Sequence, residues 1–217
     1  MEVMDRYSVR GTVALNSDIC RYHPEIVEEC MARNWELMGH CESNTRRLND
    51  AKPDEEAGIV HRTIEAITRA SGVKPRGWLG SGLQQTWNTL DYLADAGLEF
   101  VADWVNDDQP FLMTLDDGRK IMSIPYSYEL NDKPAFERRN RTAEEFDTMI
   151  RRQFDVLLRE GETQARVMAI ALHPYITGVP HRIGALDSAL EYICQHQGVW
   201  LATGAEIAAA GRSNLAL

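Results

Sequence analysis

Two histidines stand where short apolar runs end. His40 closes W-E-L-M-G-H, with Asn44 four residues on, and His173 closes V-M-A-I-A-L-H-P. An unperturbed imidazole titrates near pH ~6.5, so a histidine at a strand end can give or take a proton in general acid–base catalysis. His40 is also open to metal chemistry, because zinc sites join histidines to carboxylates and leave one position for water. A second histidine at position 44 would have made a metal pair. Asn44 is a poor zinc ligand, and Glu42 is the nearby acid that could compensate. The plain alternative for both histidines is a structural cap on a strand.

The segment D-W-V-N-D-D-Q-P over 103–110 gathers Asp103, Asp107 and Asp108 with an amide and Trp104. An indole wall beside a carboxyl raises its pKa by desolvation, which would suit an acid–base role. Loops are in any case rich in Asp and Asn, so these residues also read as ordinary turn formers.

Elements that could position such groups recur along the chain. Apolar runs rich in β-branched or aromatic residues fall at Thr12–Leu15, Trp35–Met38, Arg76–Leu79, Glu99–Trp104, Val167–Leu172 and Val199–Ala202, separated by segments of helical period. That alternation predicts a mostly parallel sheet or barrel. In such folds the reactive groups come from the C-terminal ends of strands. Those ends are Asn16 to Asp18, His40 to Asn44, Trp78, Asp103 to Asp108, Tyr126 to Asp132, and His173-Pro174.

Helices are signed by their caps. Thr142 and Glu145 form a capping box before the stripe Phe146, Met149, Ile150, Phe154, Leu157 and Leu158, with Gly161 as the stop. Weaker stripes end near Gly72, Gly97 and Gly198. Asp116-Asp117-Gly118, between Phe111–Leu115 and Arg119–Tyr126, predicts a β-hairpin, read as an insertion projecting from the barrel. Met1 to Tyr7 reads as a helix end running straight into a strand, so an opening strand and most of a first helix are expected to be missing.

Composition bounds the rest. With 217 residues, 44% hydrophobic and 26% charged, the chain fits one globular domain over 1–217. A formal charge of −10 argues against a nucleic-acid partner. The four cysteines form no C-x-x-C pair and no charged-then-apolar leader is visible, which predicts free buried thiols and a cytoplasmic home. No run is long enough to span a membrane.

Taken in order, G-T-V-A-L-N-S-D, W-E-L-M-G-H, P-R-G-W-L-G, D-W-V-N-D-D-Q-P, I-P-Y-S-Y-E-L-N-D, A-L-H-P and G-V-W-L-A-T-G-A-E-I resemble the NodB-type polysaccharide deacetylase superfamily, and within it the branch of cofactor-independent allantoinases and related cyclic amide hydrolases. The resemblance implies a distorted (β/α) barrel and hydrolysis of a non-peptide C–N bond. In metal-dependent members an acid after the first strand and an H-x-x-x-H pair hold the ion, and a late histidine is the general acid. His40 matches the first histidine of that pair, His173 the late one, and Asn44 replaces the second, as in the metal-free branch. Arg76 falls on the arginine of a family motif and could orient an acid or bind a substrate oxyanion.

The expected site therefore has His173, His40 and Asp103 as catalytic groups. Arg76, Trp78, Trp104, Asn44, Glu42 and Asp107 are expected to bind substrate. No cofactor is expected, zinc at His40 being the alternative. The substrate is read as a small molecule, a cyclic amide or ureide, and the assembly as a homo-oligomer. Two other functions stand beside this one: a metal-dependent N-acetyl sugar deacetylase, and a truncated, non-catalytic remnant that oligomerises or binds ligands.

Overall fold

Four of the six apolar runs become strands because each finds a parallel neighbour for its backbone. In the computed structural model, which describes residues 1–215, the strands are β1 (Thr12–Leu15), β2 (Glu36–Gly39), β3 (Gly77–Trp78), β4 (Phe100–Val101), β5 (Phe111–Thr114) and β6 (Lys120–Ser123). The helices are α1 (Glu2–Arg6), α2 (Asp18–Tyr22), α3 (Pro24–Ala32), α4 (Pro53–Ser71), α5 (Thr89–Asp95), α6 (Ala143–Gly161), α7 (Pro174–Thr177), α8 (Ile183–Cys194) and α9 (Gly204–Leu215). The fold is α/β with a mostly parallel sheet, and the chain divides into two compact units, each drawn from separate stretches of sequence.

One unit, drawn from residues 10–104, 110–124 and 202–215, holds the whole sheet in the order β1-β2-β3-β4-β6-β5. β1 to β4 and β6 run parallel, and β5 pairs antiparallel with β6. The predicted hairpin is present, with Gly118 at φ 87° in its turn and the Arg119 N–H bonded to Asp117 Oδ1 at 2.9 Å. It does not stand off the sheet, because β6 takes the place beside β4 and is buried there.

Helix α4 lays Ile59, Val60 and Ile64 against Trp78, Leu93, Val101 and Ile121, while its Ile67 meets Leu15, Val27 and Leu37. Two strand glycines make room for aromatic rings. A Cβ at Gly39 would lie 2.5 Å from Trp78 Cε3, and one at Gly77 would lie 2.0 Å from Phe100 Cζ. Those contacts are far inside van der Waals distance, so the close-packed interior admits only glycine there.

The other unit, residues 1–9, 105–109 and 125–201, is helical. The capping box closes as expected, with Glu145 N–H donating to Thr142 Oγ1 at 3.2 Å and Thr142 N–H to Glu145 Oε2 at 2.9 Å. From α6, Phe146, Ile150 and Phe154 pack with Leu130, Phe136, Ala189 and Ile193. Val3 of α1 packs on Leu186 and Leu190 of α8.

Two predicted strands are absent from the ladders of the described residues. Val167–Leu172 makes a single bridge, Ala171 to Asn131. The segment beside it begins at Pro125, which has no N–H, and curls where Leu130 N–H bonds Ser127 Oγ at 2.8 Å, leaving one place to pair. Val199–Ala202 forms no ladder, and Trp200 stays 61% exposed.

All four cysteines are free, but only Cys30 and Cys41 are buried; Cys20 is half-buried and Cys194 exposed. Among the described residues, no helix is long and apolar enough to cross a membrane.

Candidate active site

Loops leaving the C-terminal ends of neighbouring strands lace together in the sheet unit. His40 follows β2, and its carbonyl accepts from Asn16 Nδ2, after β1, and from Ser81 Oγ, after β3, the latter at 3.0 Å. Ser81 Oγ also donates to Asn44 Oδ1 at 3.2 Å. His40 Nδ1 lies 2.5 Å from the Leu79 carbonyl. A carbonyl can only accept, so Nδ1 carries a proton and Nε2 is the nitrogen at which the ring gains or loses one. Next to it Cys41 takes φ 60° and is fully buried, so the tie to the neighbouring loops holds a conformation that a non-glycine residue rarely adopts.

Asp103 follows β4 and is 8% exposed. Its Oδ1 accepts from Gly80 N–H at 2.6 Å and its Oδ2 from Gln85 Nε2 at 2.7 Å. Burial pushes the carboxyl up to about 7, against those two donors, which favour the charged form. A carboxyl poised there exchanges protons readily at neutral pH. Trp104, the next residue, is 44% exposed.

The helical unit holds the second group. Asp132 is fully buried and serves as a three-way acceptor. His173 Nδ1 lies 2.6 Å from Oδ1, while His173 N–H and Thr177 Oγ1 each donate to Oδ2 at 2.7 Å. The carboxylate thus fixes ring, tautomer and backbone of His173 together, and leaves Nε2 as the exchanging nitrogen. Beside it the Tyr175 ring stands edge-on to the imidazole, centroids 5.8 Å apart, with its hydroxyl 3.2 Å from Lys133 Nζ.

Several expected site residues are placed elsewhere. Trp78 is fully buried against Gly39 and cannot wall a pocket. Arg76 precedes β3, at the opposite end of the strand from Gly80, and makes two 2.7 Å bonds to Glu99 that hold the Glu99 carboxyl below its usual range. Glu42 is tied to Arg62 at 2.7 Å and lies 3.4 Å from Arg46. Asp107 is exposed and accepts from Gln109 N–H at 3.1 Å, the local bond of a turn residue.

The family model described as Polysaccharide deacetylase matches residues 1–101. A Schizosaccharomyces pombe protein named "Putative polysaccharide deacetylase" is 32% identical over 174 residues, 73% of this chain and 54% of that protein. The chain is thus similar to the polysaccharide deacetylase superfamily, with residues 1–101 matching its family model. It spans about half the length of that curated relative. Among solved structures, Puue allantoinase superposes with a TM-score of 0.90 at 23% identity, over 98% of this chain and 70% of that one. A probable polysaccharide deacetylase from Pseudomonas aeruginosa PAO1 gives 0.89 at 25%, over 98% and 71%.

Metal-dependent members of this superfamily hold a divalent ion on an acid and an H-x-x-x-H pair. Here the donor set does not fit one. His40 could offer Nε2, with Nδ1 held by a carbonyl as in many metal-bound histidines, but beside it Asn44 offers only an amide oxygen that already accepts from Ser81, and Glu42 is engaged by arginines. Among the described residues no three His, Cys, Asp or Glu side chains are grouped so as to hold a metal.

Sequence reasoning missed Asp132, Thr177, Gln85 and Ser81 as working parts. Asp132 closes the polar run Tyr126 to Asp132, but its partner His173 is 41 residues away, and no local spacing links them.

Proposed function

We propose that this chain hydrolyses a non-peptide C–N bond in a small cyclic amide or ureide. The observation that carries the reading is the buried Asp132 bonded to His173 through both ring and backbone. Cleaving an amide requires a base to activate water and an acid to protonate the departing nitrogen, since an amide anion is too poor a leaving group. In this reading His173 is the acid. Asp132 orients it and stabilises the imidazolium it cycles through. In the sheet unit Asp103, with its pKa about 7, is a further acid–base group, and His40 Nε2 is placed to accept a proton. No metal takes part. Support for a cyclic substrate comes from the likeness to Puue allantoinase and from Asn44 standing where metal-dependent relatives carry a second histidine.

A second reading, deacetylation of an N-acetyl sugar, is favoured by the curated relative's name. The test is a hydrolysis screen of allantoin, hydantoins, cyclic imides and N-acetylglucosamine oligomers, with and without chelator, on wild type and His173→Ala. Chelator-insensitive turnover of a cyclic amide that is lost in His173→Ala is the expected result. Turnover of the sugar oligomers alone would transfer the proposal to the second reading, and no turnover of any of them would end the hydrolase reading.

A further inference from the structure

Glu56 is a buried acid that the proposed chemistry does not use. It sits in the first turn of α4 at 1% exposure, and no cation pairs with it among the described residues. A carboxyl in that position costs several kcal/mol unless hydrogen bonds and local dipoles compensate. The N-terminal turn of α4 supplies part of that compensation. The rest comes from one loop. Thr86 Oγ1 donates to Glu56 Oε2 at 2.7 Å and Thr89 Oγ1 to Oε1. The same hydroxyls fold the loop on itself, accepting from Asn88 N–H at 3.0 Å and Thr86 N–H at 2.8 Å.

That loop also carries Gln85. The residue next to Thr86 is thus the side-chain donor to Asp103, and Gly80, where the loop begins, is the backbone donor. We infer that Glu56 is a positioning residue for Asp103: it anchors the 80–89 loop so that Gln85 and Gly80 clasp the carboxyl and keep water from it. The inference rests on the reading of Asp103 as a proton-handling group, and it reaches Asp103 by a continuous path, Glu56 to Thr86 to Gln85 to Asp103. Loosening the anchor removes two opposing influences on Asp103. It loses a donor that favours the charged form, and it loses the larger effect, burial, which favours the neutral one. The net movement of the titration is downward. Besides the Gln85 and Gly80 donors, the Cys41 thiol, itself pushed up by burial, interacts electrostatically with Asp103.

The decisive measurement is the protonated-carboxyl infrared band followed against pH, with Asp103→Asn subtracted so that Asp103 alone is read. In the full wild-type chain the midpoint is expected near 7. In Glu56→Gln it falls by a pH unit or more, and the double variant Thr86→Val/Thr89→Val, which keeps Glu56 but removes its partners, falls likewise. Thr86→Ser, which restores a hydroxyl, keeps the wild-type midpoint. If Glu56→Gln folds by circular dichroism and leaves the midpoint unmoved, the inference is overturned; if it does not fold, the threonine pair decides by the same criterion. A moved midpoint in a protein that turns over no substrate would uphold the anchoring and sink only the hydrolase reading.

Discussion

The two histidines are held by different acceptors, and the difference sets what each can do. His173 in the helical unit leans on a carboxylate, Asp132, whereas His40 in the sheet unit leans on the Leu79 carbonyl. Both partners fix the Nδ1 tautomer. Only the carboxylate carries a charge that offsets the imidazolium formed when Nε2 takes a proton. The charge-backed ring suits proton transfer more than the carbonyl-backed one. The sheet unit keeps further proton-handling capacity in Asp103.

The most damaging changes should fall on the charge-backed pair. His173→Ala is expected to lower kcat by about 10²–10⁴ on a substrate found by the hydrolysis screen, the range general acid–base groups supply. Asp132→Ala should come close to it, and the double variant should be little worse than His173→Ala, because the aspartate acts through the histidine. Additive losses in steady-state kinetics would break the pairing.

Next in size is Asp103→Asn, expected to cost about 10²-fold in kcat and to remove a limb of the pH–rate profile near 7. The same variant carries a stability signature. The Asp103 pKa is raised from 3.8 to about 7 on folding, so its contribution is fully present below pH 3.8 and is lost as pH rises through 7. Denaturant midpoints of wild type should therefore fall relative to Asp103→Asn across that window. Parallel curves would show that the carboxyl is ionised throughout.

His40→Ala sharpens the contrast directly, with an expected loss of roughly tenfold, below that of His173→Ala, since a carbonyl behind the ring offsets an imidazolium charge less than a carboxylate does. A loss equal to that of His173→Ala would put the two rings in the same role. Smallest of all, Arg76→Ala should leave kcat unchanged and cost at most about 1 kcal/mol by chemical denaturation, as a partly exposed ion pair does. A kcat defect there would return Arg76 to the site.

Much of the frame was legible before any coordinates. Thr12–Leu15 became β1 without a shift in boundary, and Thr142 with Glu145 capped α6 as its spacing said. The strand ends bearing His40 and Asp103 were readable because apolar runs stop where polar ones start. The last two runs failed as strands for a reason that periodicity does not carry: a strand needs a neighbour with free N–H and C=O groups, and the segment beside Val167–Leu172 begins with a proline and a turn. Trp78 failed as a pocket wall because alternation places a side chain on a face without saying what covers that face. Gly39 beneath it marked the close packing only in retrospect.

By itself, then, the sequence determined the α/β class, the likeness to the superfamily, and which histidines close apolar runs, since these follow from local pattern and motif order. Tertiary structure decided the partners. Asp132 meets His173 across 41 residues, Gln85 meets Asp103 across 18, and Glu56 meets Thr86 across 30. Hydrogen bonds and burial are properties of neighbours in space, and they, rather than residue type, separate the charge-backed histidine from the carbonyl-backed one and push the Asp103 carboxyl up to about 7.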